Sequence, residues 1–146
     1  HCQCRRQRQM CIRDRAGLMS YGNDFTKENN PIECNLEKYC SDKSDHDFIG
    51  KNALDNIKKQ GVKQKLKGVL FDGVDCPPCS IPFPLYSKDK KLIGKITSGI
   101  YSPKFKKNIG LSMILNEFCK IGSEVLVHTP DNKLRKGIVS SLPFSK

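Results

Sequence analysis

The sequence predicts an α+β chain in which one short helix precedes a small antiparallel β-barrel. Two observations lead to this fold class. From residue 62 onward, short apolar runs alternate with polar turns, and no helical spacing lies between them. Before that stretch, one segment places its apolar residues at helical intervals. A chain of 146 residues suits one compact domain together with a remnant of another.

The helix is predicted over about residues 48–60. Asp47 can cap its first turn, and Gly61 stops it. The apolar residues on its predicted inner face are Ile49, Ala53, Leu54 and Ile57.

The strands follow the helix in order. The predicted runs are LKGVLFD (66–72), a hairpin over 84–99 that turns at Lys88–Lys91, NIGLSMIL (108–115), and EVLVHT (124–129) joined by a turn to LRKGIVSSL (134–142). Five or six such strands favour an antiparallel barrel or sandwich of about 80 residues.

Arginine is distributed unevenly along the chain. Residues 1–15 contain five arginines, whereas the rest of the chain contains only Arg135 beside 20 lysines. Such an abrupt change of basic residue is unusual within one coding sequence. The sequence therefore predicts that residues 1–15 are a non-native arm, disordered and without a bound metal.

The formal net charge of +11 first suggests a nucleic acid or an anionic membrane as partner. After residue 15, however, the lysines stand singly or in pairs, which is typical of a solvated surface. No run of about 18 apolar residues is present, so no membrane span is predicted. The expected partner is a small molecule, with no nucleic acid and no membrane.

Five cysteines lie beyond the arm, and their odd number and uneven spacing do not form a disulfide framework. Reduced thiols in the cytoplasm are the simpler interpretation. Cys76 and Cys79 flank two prolines, which favours a stiff surface loop over a zinc or redox site. No nucleophile, metal or phosphate-loop motif is present, so neither catalytic residues nor metal ligands are assigned.

Five segments, in order, carry a resemblance to a known family. They are GLMSYGNDF (17–25), NPIEC (30–34), DFIGKNAL (47–54), TSGIYSPKFKKNIGLSMI (97–114) and the closing LPF (142–144). This order resembles the carboxy-terminal part of the aminomethyltransferase family, which includes the glycine cleavage T-protein. Within it, the details are most similar to the dimethylsulfoniopropionate demethylase branch.

The resemblance implies a fragment of a tetrahydrofolate-dependent methyltransferase. Residues 16–61 would be the tail of its folate-binding domain, and residues 62–146 its closing β-barrel. The enzyme would move a methyl group from a sulfonium donor to N5 of tetrahydrofolate. The larger part that holds the donor is absent, so the fragment alone is expected to be inactive.

The resemblance also implies cofactor contacts. Tyr21 would line the folate channel, and Arg13 falls where the family has an arginine that pairs with the glutamate tail of the folate. A shaped turn at the rim of the barrel is expected from Thr97, Ser98, Gly99, Ser102 and Pro103.

Two alternatives stay open at this point. The first is a glycine-cleavage aminomethyltransferase from the same family. The second, from another class, is a stand-alone basic β-barrel that binds RNA through the arginine-rich arm. The sequence leaves the oligomeric state undetermined.

Overall fold

The computed structural model describes residues 12–40, 48–76, 79 and 81–144. The described residues include helix α1 (Lys51–Gln60), a short helical turn over residues 12–15, and six strands. The strands are β1 (Gln64–Phe71), β2 (Phe83–Tyr86), β3 (Leu92–Ser102), β4 (Lys107–Leu115), β5 (Glu124–His128) and β6 (Leu134–Ser140). Two short 3₁₀ turns lie at Glu37–Tyr39 and Asn116–Phe118.

The six strands close into an antiparallel barrel in the order β1-β4-β3-β2-β5-β6. The pairing of β1 with β6, in which Val69 lies opposite Val139, completes the ring. Closure removes the unpaired edges that an open sheet would present. The predicted fold, one helix followed by a small antiparallel barrel, is confirmed.

The helix starts later than predicted. Gly50 occupies the N-cap position with φ +96°, a left-handed conformation that glycine adopts readily, and α1 begins at Lys51. Asp47, the predicted cap, lies outside the described residues. Ile49 precedes the helix and is fully exposed, and no residue of α1 is buried. The end at Gly61 is as predicted.

The barrel interior is packed with alternate strand residues, since successive side chains of a strand point to opposite faces. Phe71, Leu85, Ile96 and Val127 are fully buried there. These buried side chains form the core of the barrel.

Cys76 and Cys79 belong to this interior and are 3% and 9% exposed. The Cys76 amide donates to Asn108 Oδ1 at 2.7 Å, and the Cys79 amide donates to the Gly99 carbonyl at 3.0 Å. The surface loop predicted for these cysteines is therefore wrong for the two thiols. Burial raises the pKa of Cys79 to about 12, which keeps the thiol protonated and inert.

A second apolar layer lies outside the barrel, on β1, β3 and β4. The segment that precedes α1 and the tail after β6 both cover this face. Phe144 packs so closely on β1 that a Cβ at Gly68 would lie 2.6 Å from its ring. This covering layer holds the residues that the sequence connects with the cofactor.

Candidate functional site

The segment over residues 17–36 is fixed to the outer face of the barrel by apolar contacts. Met19, Phe25 and Leu36 pack against buried Cys34, Leu66 and Met113. Main-chain bonding adds a second tie, because the Leu66 amide donates to the Glu33 carbonyl at 2.7 Å. The segment is thus part of the folded body.

Residues 20–25 of this segment form a tight turn. The Gly22 amide donates to the Phe25 carbonyl at 2.8 Å, and the Asp24 amide donates to the Ser20 carbonyl at 2.9 Å. Gly22 has φ +84°, a conformation that costs an L-residue roughly 1 kcal/mol or more. The glycine of the Tyr-Gly motif is therefore explained by the backbone of the turn.

A buried carboxylate joins the turn to strand β3. Asp24 is 2% exposed and accepts from the Ser20 amide at 2.7 Å through Oδ2. Its Oδ1 accepts from Thr97 Oγ1 at 2.7 Å and from Ser98 Oγ. Three donors therefore satisfy one buried charge, which is the arrangement that burial of a carboxylate requires.

Asn23 adds two further bonds to the same strand. Its Nδ2 donates to the Thr97 carbonyl at 3.0 Å and to Ser98 Oγ at 2.8 Å. Thr97 and Ser98 lie within β3, beside an irregularity in its pairing with β4 between Ile96 and Ser98. The expected rim turn is thus wrong for Thr97, Ser98 and Gly99, which continue the strand. Ser102 ends β3, and Pro103 lies in the turn between β3 and β4.

Tyr21 stands on the outer side of that turn. Its side chain is 68% exposed, and its ring meets the Phe25 ring edge to face at a centroid distance of 5.5 Å and an interplanar angle of 81°. A mostly exposed aromatic ring on a fixed base can stack against a flat ligand or bond to it through the hydroxyl.

Arg13 lies in a helical turn over residues 12–15 that is attached to the barrel. The Leu18 amide donates to the Arg13 carbonyl, and the Phe144 amide donates to the Arg15 carbonyl, both at 3.0 Å. The disordered arm predicted for residues 1–15 is therefore wrong for residues 12–15. Residues 1–11, with Cys2, Cys4 and Cys11, lie outside the described residues.

The side chains in this helical turn are poorly matched. Arg13 Nη2 lies 3.6 Å from Asp14 Oδ1, and Arg13 Nε is buried without a hydrogen-bond partner. Asp14 is 0% exposed, and neither of its carboxylate oxygens has a hydrogen-bond partner. Burial raises the pKa of Asp14 to about 6; the Arg13 charge opposes the rise, and the Asp24 charge adds to it.

The two residues that the resemblance assigned to the cofactor sit on the same covering segment. Within the described ranges, no hydrogen bond, ion pair or ring contact joins Arg13 to Tyr21. Sequence reasoning missed the network of Asp24 with Thr97 and Ser98. The aspartate in the Tyr-Gly-x-Asp pattern was its only signal, and that signal does not name the strand residues on the other side.

A cavity of about 410 Å³ lies beside this region, and neither Arg13 nor Tyr21 lines it. Leu18, Tyr39 and Leu142 contribute apolar walls, and Asn35 and Lys67 contribute polar atoms. Across the described ranges, no group of three or more potential metal ligands occurs. No helix in the same ranges is long and apolar enough to cross a membrane.

Comparison with known proteins defines the class to which this covered barrel belongs. The family described as the glycine cleavage T-protein C-terminal barrel domain matches residues 70–146. The chain belongs to this family. The match begins within β1 and continues through the last five strands of the barrel.

Two curated relatives show the range of the family. Dimethylsulfoniopropionate demethylase DmdA of Ruegeria pomeroyi is 39% identical over 116 residues, which are 80% of this chain and 31% of that protein. An aminomethyltransferase of Bacillus velezensis is 37% identical over 135 residues, which are 92% of this chain and 36% of that protein. The chain spans about a third of the length of these relatives.

The fold also matches a solved structure. The crystal structure of glycine cleavage system aminomethyltransferase T from Bartonella henselae superimposes with a TM-score of 0.81 at 24% identity. The match covers 94% of this chain and 38% of that one. These relatives lend no support to the RNA-binding alternative, and the similar identities of the two curated relatives leave the branch undecided.

Proposed function

We propose that this chain is the carboxy-terminal part of a tetrahydrofolate-dependent one-carbon transferase, in which it supplies one wall of the folate site. The chain itself brings no catalytic residue to this proposal. Its contribution is positioning, since a one-carbon transfer depends on holding donor and acceptor in line in a water-poor cavity. The expected cytoplasmic location belongs to the same proposal and fits the free thiols among the described cysteines.

The observation that carries the proposal is the exposed Tyr21 ring on a turn that is otherwise bonded to the barrel. Exposed tyrosines are common, but this one follows Ser20, whose amide donates to the buried carboxylate of Asp24, and its ring meets Phe25. Tetrahydrofolate has a flat pyrimidine ring within its reduced pterin, a flat benzoyl ring and an anionic glutamate tail. Tyr21 offers a face and a hydroxyl to the rings. The resemblance assigns the guanidinium of Arg13 to the tail, a role that requires residue 13 to be native.

Titration of the chain with tetrahydrofolate tests this proposal. We expect the ring resonances of Tyr21 to shift in NMR spectra at millimolar ligand, and Y21A to weaken binding at least tenfold. Tyr39 is a matched control, because it is 73% exposed and stands on a different turn. Equal losses for Y21A and Y39A, or no shift at Tyr21, would contradict the proposed site.

For the donor, we propose a sulfonium compound, with a methyl group moving to N5 of tetrahydrofolate. The supporting observation is the identity to the demethylase, 39%, together with the Tyr-Ser-Pro and Asn-Pro details of the motifs. The second candidate is aminomethyl transfer, which the Bacillus relative favours through its greater coverage, 92% of this chain.

A longer reading frame would separate these donors. Once the upstream coding sequence is joined to this chain, methyl transfer from dimethylsulfoniopropionate to tetrahydrofolate can be measured beside methylene transfer from an aminomethyl donor. We expect the first activity, and the second alone would overturn the sulfonium proposal. The present chain should show neither.

We also propose that residues 1–15 are foreign to the protein. The uneven arginine distribution supports this, and so does Asp14, which is buried and has only the Arg13 guanidinium, 3.6 Å away, to balance its carboxylate. An independent DNA read across the codons of Arg15 and Ala16 tests it. If the segment is genomic, the proposal fails; if it is foreign, Arg13 loses its role and Tyr21 alone carries the folate proposal.

A further inference from the structure

The two residues that flank Tyr21 both donate hydrogen bonds within the 20–25 turn. The Ser20 amide, one residue before Tyr21, donates to Asp24 Oδ2 at 2.7 Å. The Gly22 amide, one residue after it, donates to the Phe25 carbonyl at 2.8 Å. The backbone on both sides of Tyr21 is therefore fixed, although the Tyr21 side chain itself is two-thirds exposed.

Asp24 connects this short turn to a rigid element. Its other oxygen, Oδ1, accepts from the hydroxyls of Thr97 and Ser98, which lie in the middle of an eleven-residue strand. A site built on a strand holds its side chains more precisely than a site built on a free loop. Asp24 therefore transmits the position of β3 to the Ser20 amide and, through it, to Tyr21.

Two further contacts fix the same geometry. Asn23 Nδ2 donates to the Thr97 carbonyl and to Ser98 Oγ, so the turn is tied to β3 through two consecutive side chains. Phe25 packs into the outer apolar layer and meets the Tyr21 ring edge to face. The Tyr21 ring is thus held by Phe25, which belongs to the same turn.

From these contacts, we infer that Asp24, assisted by Asn23, is a positioning residue that sets the orientation of the Tyr21 ring for a planar ligand. The inference rests on the proposed function, because it assigns the ligand to the same tyrosine. Asp24 itself is buried and does not touch the ligand. Because the Tyr21 ring is already ordered, binding does not have to restrict its conformational entropy. We therefore expect a higher affinity than for a free ring.

The test compares D24A and N23A with S112A in the 146-residue chain. Ser112 is also fully buried, but its hydroxyl donates to the Lys67 carbonyl at 2.9 Å and not to the 20–25 turn. Asn23 is exposed, so N23A keeps the fold even if D24A unfolds the chain. The readouts are the nuclear Overhauser effect between the Tyr21 and Phe25 rings, and the affinity for tetrahydrofolate.

We expect D24A to lower the affinity about tenfold, N23A about threefold and S112A not at all. The ring-to-ring effect should weaken in the first two variants and persist in the third. In a Y21A background, D24A and N23A should have no further effect on the affinity, because they act only through that ring. A purely structural role predicts equal losses with and without Tyr21, and that result would overturn the inference.

The two proposals fail in different ways. If tetrahydrofolate does not bind at Tyr21 in the unsubstituted chain, the proposed function fails. The ring-to-ring effect then still decides whether Asp24 orients Tyr21. If the ligand binds and N23A changes neither readout, the folate site stands and the positioning role is refuted.

Discussion

Asp24 and Asp14 lie ten residues apart in the same covering segment, and both side chains are buried. Only the Asp24 carboxylate is hydrogen-bonded to the protein. Asp24 accepts from one backbone amide and two hydroxyls, whereas neither oxygen of Asp14 has a hydrogen-bond partner among the described residues. A buried aspartate therefore stabilises the fold at position 24 and destabilises it at position 14. The difference shows that the donors provided for a carboxylate, and not its burial, decide whether it stabilises the fold.

The largest expected effect comes from removing the supported carboxylate. Replacing Asp24 with Ala leaves the Ser20 amide and the Ser98 hydroxyl without their acceptor, whereas the Thr97 hydroxyl keeps the Leu111 carbonyl at 3.3 Å. We expect the free energy of unfolding to fall by about 4 kcal/mol, since each lost bond to a charged group costs roughly 1.5–3 kcal/mol and the losses overlap. Urea unfolding measures the change.

Asp72 is the matched control for this substitution. It is 63% exposed and pairs with Lys107 at 3.0 Å, so Asp72→Ala should cost about 0.5 kcal/mol or less. Similar losses at Asp24 and Asp72 would show that the buried network contributes little.

The next effect concerns the unsupported carboxylate and pH. Because burial raises the pKa of Asp14 from 3.8 to about 6, the folded chain holds this proton more tightly than the unfolded chain does. Asp14 therefore destabilises the fold increasingly as pH rises from about 4 to 6, by up to about 3 kcal/mol in all. The penalty is complete above pH 6.

Asp14→Leu removes the titrating group and fills the site with apolar atoms. We expect this variant to be more stable than the unsubstituted chain at pH 7, and the gap to shrink as pH falls to 4 in parallel urea titrations. The lowered pKa of Asp131, about 2 because of the Thr129 hydroxyl and Arg135, affects stability only below pH 4 and is common to both chains. Parallel stability curves between pH 4 and 7 would refute the penalty at Asp14.

A smaller effect tests the layer that both aspartates share. Gly68→Ala would place a Cβ 2.6 Å from the Phe144 ring and displace the tail that bonds to Arg15. We expect a loss of about 2 kcal/mol, as for other overpacked sites. Thermal unfolding should show the same loss for Phe144→Ala, and the two substitutions together should not add, because both remove one contact.

The smallest stability is expected for α1, which lies outside that layer. None of its residues is buried, and a ten-residue helix is marginal without tertiary support. Amide hydrogen exchange in α1 should therefore be faster than in β1 or β4 by several orders of magnitude. Protection of Leu54 and Ile57 equal to that of the barrel strands would contradict this ranking.

The strands of the barrel could be predicted from the sequence because they obey a local rule. Alternating apolar residues and polar turns mark the strands without reference to any partner. The strand pattern left a barrel and a sandwich both open, and the pairing of β1 with β6 decides for the barrel. The start of α1 could not be placed, because the left-handed conformation of Gly50 overrides the apolar spacing that includes Ile49.

The candidate site was predictable only in part, for a different reason. Tyr21 is recognisable within its motif, but its support comes from Thr97 and Ser98, more than seventy residues further along the chain. The burial of Cys76 and Cys79 was missed for the same reason, since the residues that hold the loop, such as Asn108, come from another strand. Local patterns specify elements, whereas these pairings depend on topology.

The bond from the Phe144 amide to the Arg15 carbonyl has a consequence for protein engineering. It brings residues 15 and 144 side by side, so the two ends of the polypeptide between them are close in space. A short linker could join these two positions, and new termini could be opened in the turn between β5 and β6. Such a circular permutant should keep the barrel, and any domain fused near residue 15 should emerge next to one fused near residue 144.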